Sequence, residues 1–303
     1  MSAATVSPPA TATSARRRFG GHSMTATLRT VLVRPPAPPA GDGDWRTFGY
    51  LHPVDHARTV QEHAAFRAIL AGAGAEVVEA GPDPAGALDA IFAFDPSIVT
   101  DRGAILCRMG KSERLNEAAL AERTYAELGV PILGRIEAPG SVEGGDTLWL
   151  DEWTLAVGRG YRTNDEGIAQ LTRILGEIGV TVVRVELPHW RGPGECLHLM
   201  SLISPVAADV AVVYRPLLST PFVELLQGRD WRFVEVPDEE FDSMGCNVLA
   251  LGGGRCLMVA GNPATRARLE AAGCEVLTYE GSEVSLNRAG GPTCLTKPLW
   301  RAD

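Results

Sequence analysis

In the stretch NDEGIAQLTRILGEIGVTVV, residues 164–183, a helical pattern passes through a glycine directly into a strand pattern. Asn164 is a favourable N-cap residue, and the apolar residues after it recur at helical spacing. Gly179 is the residue type that most often follows the end of a helix, and the valines and threonine after it are typical of a β-strand. The stretch therefore predicts one helix, a stop and one strand.

Four further segments of the chain repeat this order of amphipathic helix, glycine and short strand. Their helical patterns begin at His56, Ser112, Thr220 and Asn262 and end at Gly74, Gly129, Gly228 and Gly273. Thr220–Pro221 and Asn262–Pro263 each place a capping residue before a proline, which is favoured in the first helical turn. The five glycines recur at roughly 45 to 55 residues, a period typical of arrays of equivalent units.

Short apolar runs between these segments supply further strands, so each unit contains several strands and one helix. The runs include residues 98–99, 104–107, 148–150, 210–213, 247–251 and 256–259. Five such units in a ring would form a single α/β domain, a five-bladed propeller with a central mouth. A doubly wound α/β sheet also alternates strands and helices and is the alternative at this point.

The composition of the chain excludes several classes of protein. Its 303 residues are 45% hydrophobic, yet no apolar run approaches the roughly 20 residues of a membrane-spanning helix. The net charge of −9 argues against a nucleic-acid surface, which needs a basic face. Six scattered cysteines without metal-ligand spacing predict no bound zinc. Together with the lack of a secretory signal, they predict a reduced, cytoplasmic protein.

The N-terminal region differs from the rest of the chain. Residues 1–27 are rich in Ala, Ser, Thr and Pro and include Arg16–Arg17–Arg18, without the apolar centre of a signal peptide. Such a composition is typical of disorder. We predict a disordered extension over residues 1–27 and a single catalytic domain over residues 28–303.

Cys294 is the strongest candidate nucleophile. It follows paired glycines in the run GGPTCL, residues 290–295, which would let a substrate approach the backbone closely and leave the sulfur exposed at a bend. The alternative is a buried cysteine on a last strand, the commoner situation for this residue type. The other five cysteines lie in apolar stretches or lack such glycines and are weaker candidates.

A cysteine nucleophile needs a proton-transfer partner, and His198 is the best-placed of the six histidines. It is flanked by leucines in CLHLMS, residues 196–201, which we predict to be a strand. Such a strand could direct the imidazole into the central mouth, where a histidine would raise the thiolate fraction and transfer protons. A histidine packed in the core is the alternative.

Two groups of acids complete the set of candidates. Glu143–Gly144–Gly145–Asp146 places two acids around a glycine turn that leads into a strand, and Asp95 follows an aromatic run and precedes a proline. Carboxylates in such positions can also be ordinary turn residues.

Taken in order, these motifs resemble the guanidine-modifying (amidinotransferase, or pentein) superfamily, and most closely the dimethylarginine dimethylaminohydrolase family. The resemblance runs from about Leu32 to Arg301. Its most specific part is IEAPGSVEGGD, residues 136–146. The remaining matches are Asp89, Phe94–Asp95–Pro96, Arg108–Met109–Gly110, Arg114, Glu117, Gly158, Arg162–Thr163–Asn164, Leu197–His198–Leu199, Gly290–Gly291 and Cys294.

The resemblance implies a five-bladed α/β propeller of ββαβ-type units, in agreement with the repeat. It also implies hydrolysis of a C–N bond in the guanidino group of a free arginine-like amino acid, most closely an N-methylated arginine converted to citrulline and an amine. By position, it implies that Cys294 is the nucleophile and His198 the general acid and base. Glu143 would orient the histidine, and Asp95 would hold the guanidinium group.

Further residues are implied for the amino-acid end of the substrate. Arg114 and Arg162 would bind the α-carboxylate, because a guanidinium fork binds a carboxylate bidentately, and Asp89 would bind the α-ammonium. The chain departs from the family at Phe94, where an acid is usual. An aromatic ring there would suit N-methyl groups or a cation–π contact with the substrate.

The chemistry implied in this way requires no cofactor and no metal ion. The partner is a small guanidino amino acid, with no nucleic acid and no membrane, and the sequence leaves homo-oligomerisation open. Two alternative functions remain at this point. One is an amidinotransferase that passes the amidino group to an amine, and the other is a catalytically silent arginine-binding protein.

Overall fold

Fifteen strands and seven α-helices lie in residues 19–303, the part of the chain that this computed structural model describes. The strands are β1 (Leu28–Val33), β2 (Glu76–Glu79), β3 (Ser97–Thr100), β4 (Gly103–Leu106), β5 (Ile132–Arg135), β6 (Thr147–Asp151), β7 (Thr154–Arg159), β8 (Thr181–Glu186), β9 (Ile203–Ala207), β10 (Val210–Val213), β11 (Arg232–Glu235), β12 (Val248–Gly252), β13 (Arg255–Val259), β14 (Glu275–Tyr279) and β15 (Lys297–Arg301). The helices are α1 (Asp44–Phe48), α2 (His56–Gly72), α3 (Glu117–Leu128), α4 (Asp165–Gly176), α5 (Thr220–Gln227), α6 (Asp238–Phe241) and α7 (Pro263–Ala271).

The strands form five sheets of three strands each. In every sheet the first two strands are antiparallel and the third runs parallel to the middle one, after a helix that crosses back over the sheet. The sheet of β6, β7 and β8, with α4 as its crossover, is the unit whose helix and final strand the quoted stretch predicted. The predicted five-bladed α/β propeller is confirmed, and the doubly wound single sheet is wrong.

One blade combines the two ends of the chain. Its middle strand β1 pairs antiparallel with β15 and parallel with β2. The ladder between β1 and β15 therefore fixes the segment just before β15 relative to the first blade.

The middle strands are buried on both faces. All four residues of β4 and all four residues of β10 are buried, as expected for strands covered by a helix on one side and by the centre of the molecule on the other. The loops that precede the first strand of each blade lie outside these buried strands and carry polar side chains.

Helix starts agree with the sequence where the cap is local. Asn164 accepts a hydrogen bond from the Gly167 amide at 2.8 Å and caps α4 as predicted. Asn262 precedes α7, but its side chain does not cap the helix. The carboxylate of Glu240 instead accepts the amides of Ala264 and Thr265 at 2.7 Å each.

α5 begins at Thr220 as predicted, but Thr220 is not its cap, and the helix predicted from Ser112 is not continuous. Thr220 is the first residue of α5, and its N-cap is Ser219. The helix predicted from Ser112 is divided into a 3₁₀ turn, Ser112–Arg114, and α3.

The predicted extension, residues 1–27, falls partly outside the described residues, since residues 1–18 are not among them. Residues 19–27 contact the domain. His22 stacks on Trp149 with ring centroids 4.1 Å apart, and Gly20 forms a bridge with Trp300. Within residues 19–303, no helix is both long and apolar enough to cross a membrane.

Candidate active site

Five polar side chains converge from five different blades, each from just before the first strand of its blade. Asp95 precedes β3, Glu143 precedes β6, His198 precedes β9, Asn247 precedes β12 and Cys294 precedes β15. Because equivalent positions of a ring-shaped repeat meet at one end of the ring, the fold itself brings these groups together.

Glu143 and His198 form the centre of the cluster. The Glu143 Oε2 and His198 Nε2 atoms lie 2.7 Å apart, and both side chains are buried. The Glu143 Oε1 accepts the amides of Gly110 at 2.9 Å and Lys111 at 3.2 Å. Burial alone would raise the pKa of Glu143, but His198 and Arg162 outweigh burial and hold this pKa well below its usual range.

His198 does not lie on a strand, so that prediction is wrong. Two backbone amides at this point donate to side chains and not to a neighbouring strand. The His198 amide donates to Ser201 Oγ at 3.1 Å, and the Leu199 amide donates to Asp146 Oδ1 at 3.0 Å. Gly145 lies directly against the imidazole, and a Cβ atom there would come within 2.5 Å of His198 Nδ1. The glycine turn is therefore required for the approach of Glu143 and His198.

Burial alone would lower the pKa of His198. The negative charges of Cys196, Asp146 and Asp95 oppose burial and raise this pKa well above its usual value of 6.5. Its Nδ1 lies 3.6 Å from Cys196 Sγ. The imidazole is therefore cationic at neutral pH and suited to donate a proton.

Cys294 lies in a turn before β15 and is partly exposed. The amide of Asn247 donates to Cys294 Sγ at 3.3 Å, and Asn247 Oδ1 accepts the Thr293 amide at 3.1 Å. The paired glycines before Cys294 leave room for protein side chains, since a Cβ atom on Gly291 would come within 2.5 Å of Asn247 Cγ. Sequence analysis did not identify Asn247, although its position before the first strand of a blade matches that of the other four.

The thiol of Cys294 is protonated in this arrangement. Burial and then the negative charge of Asp95 raise the pKa of Cys294 to about 11, although His198 opposes them. A further positive charge is needed to produce the thiolate.

Asp95 is held in place by backbone and side-chain donors. Its Oδ1 accepts the Gly145 amide at 2.9 Å, and its Oδ2 accepts Arg114 Nη1 at 2.8 Å. Arg114 is only 3% exposed, and its Nε and Nη2 both donate to Glu117 at 2.8 Å. Arg114 is therefore buried and bound to two carboxylates of the protein, and its predicted contact with a substrate carboxylate stays a prediction.

Arg162 is slightly more exposed than Asp89, and both residues are buried. Arg162 Nη1 is 3.2 Å from Glu143 Oε2, and 11% of the Arg162 side chain is exposed. Asp89 binds Lys111 Nζ at 2.7 Å and the Tyr50 hydroxyl at 2.7 Å. The Lys111 ammonium is thus bound to the carboxylate that was predicted to bind a substrate α-ammonium.

Phe94 contacts a cation of the protein itself. Lys297 Nζ lies 4.1 Å from the centre of the Phe94 ring, and the ring packs in a buried cluster with Leu148 and Met200. Lys297 therefore makes a cation–π contact with Phe94, and the contact predicted between Phe94 and the substrate stays a prediction. The backbone of Phe94 supports the site, because its amide donates to the Cys294 carbonyl oxygen at 3.2 Å.

One group of atoms in the described residues has the composition of a metal site. Donor atoms of Asp95, Glu143 and His198 lie within 4.8 Å of one another. The close contact between Glu143 and His198 and the hydrogen bonds of Asp95 to Arg114 and Gly145 already use the same atoms. The prediction of no metal and no cofactor stays a prediction.

Known proteins with similar sequences and structures agree with one another. The arginine deiminase family profile matches residues 89–225 and 218–301. An N(G),N(G)-dimethylarginine dimethylaminohydrolase from Streptomyces coelicolor is 31% identical over 272 residues, covering 89% of this chain and 97% of that protein.

Solved structures show the same fold. The Pseudomonas aeruginosa dimethylarginine dimethylaminohydrolase, a cysteine-to-serine mutant complexed with citrulline, superposes with a TM-score of 0.71 at 26% identity, covering 89% of this chain and 98% of that one. The N-terminal domain of a cyanobacterial arginine dihydrolase has a TM-score of 0.78 at 20% identity, over 90% and 97% of the two chains, and supports the fold alone. By sequence and by structure, the chain belongs to the arginine deiminase family of the pentein superfamily, together with its dimethylarginine dimethylaminohydrolase relatives.

Proposed function

We propose that this protein hydrolyses a C–N bond in the guanidino group of an arginine-like amino acid through a covalent intermediate on Cys294. The names of its relatives favour an N-methylated arginine as substrate and citrulline plus an amine as products. The observation that carries the proposal is the convergence of Cys294, His198, Glu143 and Asp95 from four different blades.

The first step is recognition of the substrate cation. A guanidinium carbon is a poor electrophile because resonance spreads its charge, and a carboxylate at Asp95 would hold the group planar and in place for attack. Arg114 positions that carboxylate through a hydrogen bond of 2.8 Å. The guanidinium also supplies the positive charge that lowers the pKa of Cys294 and favours its thiolate.

The bond changes then follow in two halves. When the substrate cation binds, the Cys294 thiol releases its proton to solvent, because the His198 imidazolium is already protonated. The Cys294 thiolate then attacks the guanidino carbon to give a tetrahedral adduct, and His198 donates a proton to the departing amine nitrogen as the C–N bond breaks. A thiouronium group remains on Cys294. His198 then accepts a proton from water, whose oxygen attacks the same carbon, and the C–S bond breaks to release the ureido product and the thiol. Glu143 keeps the imidazole oriented throughout.

Arg162 is the proposed ligand of the substrate carboxylate, because part of its side chain is exposed. Asp89 can bind an α-ammonium only if the Lys111 ammonium leaves it. The predictions for Arg114 and Phe94 as direct substrate ligands stay predictions, and their contacts with Glu117 and Lys297 argue for supporting roles instead.

The test is a panel of L-arginine, Nω-methyl-L-arginine, Nω,Nω-dimethyl-L-arginine and agmatine, with detection of the ureido product. Wild type should convert at least one of the amino acids, and Cys294→Ser should lose at least ~10³-fold in kcat. Intact mass after rapid quenching should show a thiouronium adduct on wild type only. Unchanged turnover in Cys294→Ser would rule out the covalent mechanism.

Two further arms separate the alternatives. Acceptor amines should not give a new guanidino product, as they would with an amidinotransferase. Agmatine lacks the carboxylate, so turnover of agmatine equal to that of the amino acids would refute the role of Arg162. Binding without any turnover across the panel would identify a catalytically silent arginine-binding protein.

The cellular setting is also proposed. Scattered cysteines support a reducing compartment, the cytoplasm. A homo-oligomer is compatible with the sequence, and light scattering of the purified protein would give the number of subunits.

A further inference from the structure

The Asp89 carboxylate is already satisfied by groups of the protein. Its Oδ2 accepts Lys111 Nζ at 2.7 Å, and its Oδ1 accepts the Tyr50 hydroxyl, also at 2.7 Å. Only 6% of the Asp89 side chain is exposed. Each oxygen thus accepts a short hydrogen bond, and the Lys111 ammonium balances the charge of the carboxylate.

Lys111 is fixed at both ends of its side chain. Its backbone amide donates to Glu143 Oε1 at 3.2 Å, so the residue is tied to the acid that orients His198. Its ammonium also donates to the Phe48 carbonyl oxygen at 2.9 Å and lies 5.0 Å from the centre of the Phe48 ring. The Lys111 side chain is 17% exposed, so the ammonium lies at the edge of the cluster without being free in solvent.

This arrangement removes the attraction that a second ammonium would feel. An α-ammonium entering beside Asp89 would meet a carboxylate already paired with one cation, and would have to displace the Lys111 ammonium or lie next to it. Like charges repel, and their repulsion is stronger in a partly buried site because the effective dielectric constant is lower there than in water. A site that neutralises its own acid therefore discriminates against a cation at that point.

We propose that Lys111 is a specificity-determining residue and that the pocket accepts guanidino carboxylic acids lacking an α-ammonium at least as well as the corresponding amino acids. The inference rests on the proposed function, because it places the tail of the guanidino substrate near Asp89. The carboxylate of such an acid would still meet Arg162, whose side chain is 11% exposed.

The experiment compares Nω-methyl-L-arginine with 5-(N′-methylguanidino)pentanoic acid, which carries the same guanidino group, chain length and carboxylate but no α-amine. The measured quantity is the ratio of kcat/KM for the amine-free acid to kcat/KM for the amino acid. In wild type this ratio should be one or more. Lys111→Met should lower it at least tenfold, since Asp89 is then free to bind the α-ammonium.

Two variants serve as controls. Lys111→Arg keeps a cation beside Asp89 and should retain the wild-type ratio. Arg108→Met removes a nearby half-buried cation that donates to the Gly140 carbonyl oxygen and not to Asp89, so its ratio should also remain that of wild type. A wild-type preference of tenfold or more for the amino acid, or a ratio that Lys111→Met leaves unchanged, overturns the inference.

Measurements of ligand binding test the role of Lys111 independently of the proposed function. Isothermal titration of the same two compounds into Cys294→Ser, with and without Lys111→Met, gives the ratio of dissociation constants without chemistry. Absence of ureido product in wild type refutes the proposed function, while a binding ratio that shifts tenfold with Lys111→Met still supports the role of Lys111. Failure of both compounds to bind refutes both.

Discussion

At the scale of single residues, the proposed nucleophile Cys294 is a protonated thiol. The pKa of Cys294 is raised to about 11, while that of His198 is raised well above 6.5, so the resting pair is a thiol beside an imidazolium. In the proposed mechanism, a cationic substrate bound by Asp95 would add the missing positive charge. Activation of the thiol therefore depends on the substrate, and a neutral compound of the same shape should not trigger attack.

Substitution of Asn247 tests how the surroundings of Cys294 set the pKa of its thiol. Its amide donates to Cys294 Sγ at 3.3 Å, which lowers the pKa of the thiol. Asn247→Leu should therefore shift the pH midpoint of Cys294 alkylation upwards and reduce kcat by ~10²-fold. Alkylation of the Cys294 peptide is followed by mass spectrometry in a Cys196→Ala background. A midpoint that does not move would show that the hydrogen bond has no effect on the thiol.

Cys196 should set the pH range of His198. Desolvation raises the pKa of the Cys196 thiol, but the charges of His198 and Arg162 outweigh it and lower this pKa, and the Cys196 thiolate in turn raises the pKa of His198. Cys196→Ala should therefore move the alkaline limb of the kcat/KM profile to lower pH, by about one unit. Cys274→Ala, in another blade, should leave the limb in place. If the alkaline limb of kcat/KM stays at the same pH in Cys196→Ala, the proposed effect of Cys196 on the pKa of His198 is wrong.

At the scale of elements, α2 carries a buried histidine that makes the protein sensitive to acid. His63 is 2% exposed, and its Nε2 has no hydrogen-bond partner among the described residues. Burial, followed by the positive charge of Arg67, lowers the pKa of His63 to about 4. The folded protein therefore favours neutral His63, and the unfolded chain binds the proton more readily.

The sign of the pH effect follows from this depressed pKa. Stability due to neutral His63 is fully present above the unfolded pKa near 6.5 and is lost as the pH falls towards 4, by about 3 kcal/mol in total. Wild type should therefore lose stability relative to His63→Leu across this window, measured by urea unfolding at each pH. A difference between the two proteins that stays constant from pH 7 to pH 4 would contradict the assignment.

The elements also show what sequence can and cannot predict. The start of α4 was predictable because Asn164 caps its own helix, three residues from the amide that it accepts. The cap of α7 was not, since Glu240 reaches it from α6. Asparagine and proline in sequence mark a helix start, but they cannot show that a distant carboxylate has taken over the cap.

The same distinction applies to the site. The contact between Glu143 and His198 was implied by the family resemblance of the motifs around them, as was the place of Asp95 in the site. Asn247 and Lys111 belong to no such motif, and their contacts with Cys294 and Asp89 are made only in the folded chain. The register of the repeat would have pointed to Asn247, as the residue before the first strand of its blade.

At the scale of the whole molecule, the ring depends on the pairing of β1 with β15. Ending the chain after Thr296 removes β15, including the buried residues Lys297 and Leu299 and the ladder to β1. This truncation should abolish the cooperative thermal transition, since the loss exceeds the marginal stability of a domain. Ending the chain after Arg301 keeps the strand and should retain the transition. A cooperative transition in the shorter protein would show that the other four blades are sufficient.

The shared blade also has a consequence for the order of events during synthesis. β1 is made first among the strands, yet its antiparallel partner β15 emerges from the ribosome only after the other four blades, and Cys294 comes with it. One edge of β1 therefore stays unpaired while the rest of the domain is translated. A chain that ends before residue 294 thus lacks both the proposed nucleophile and the antiparallel partner of β1.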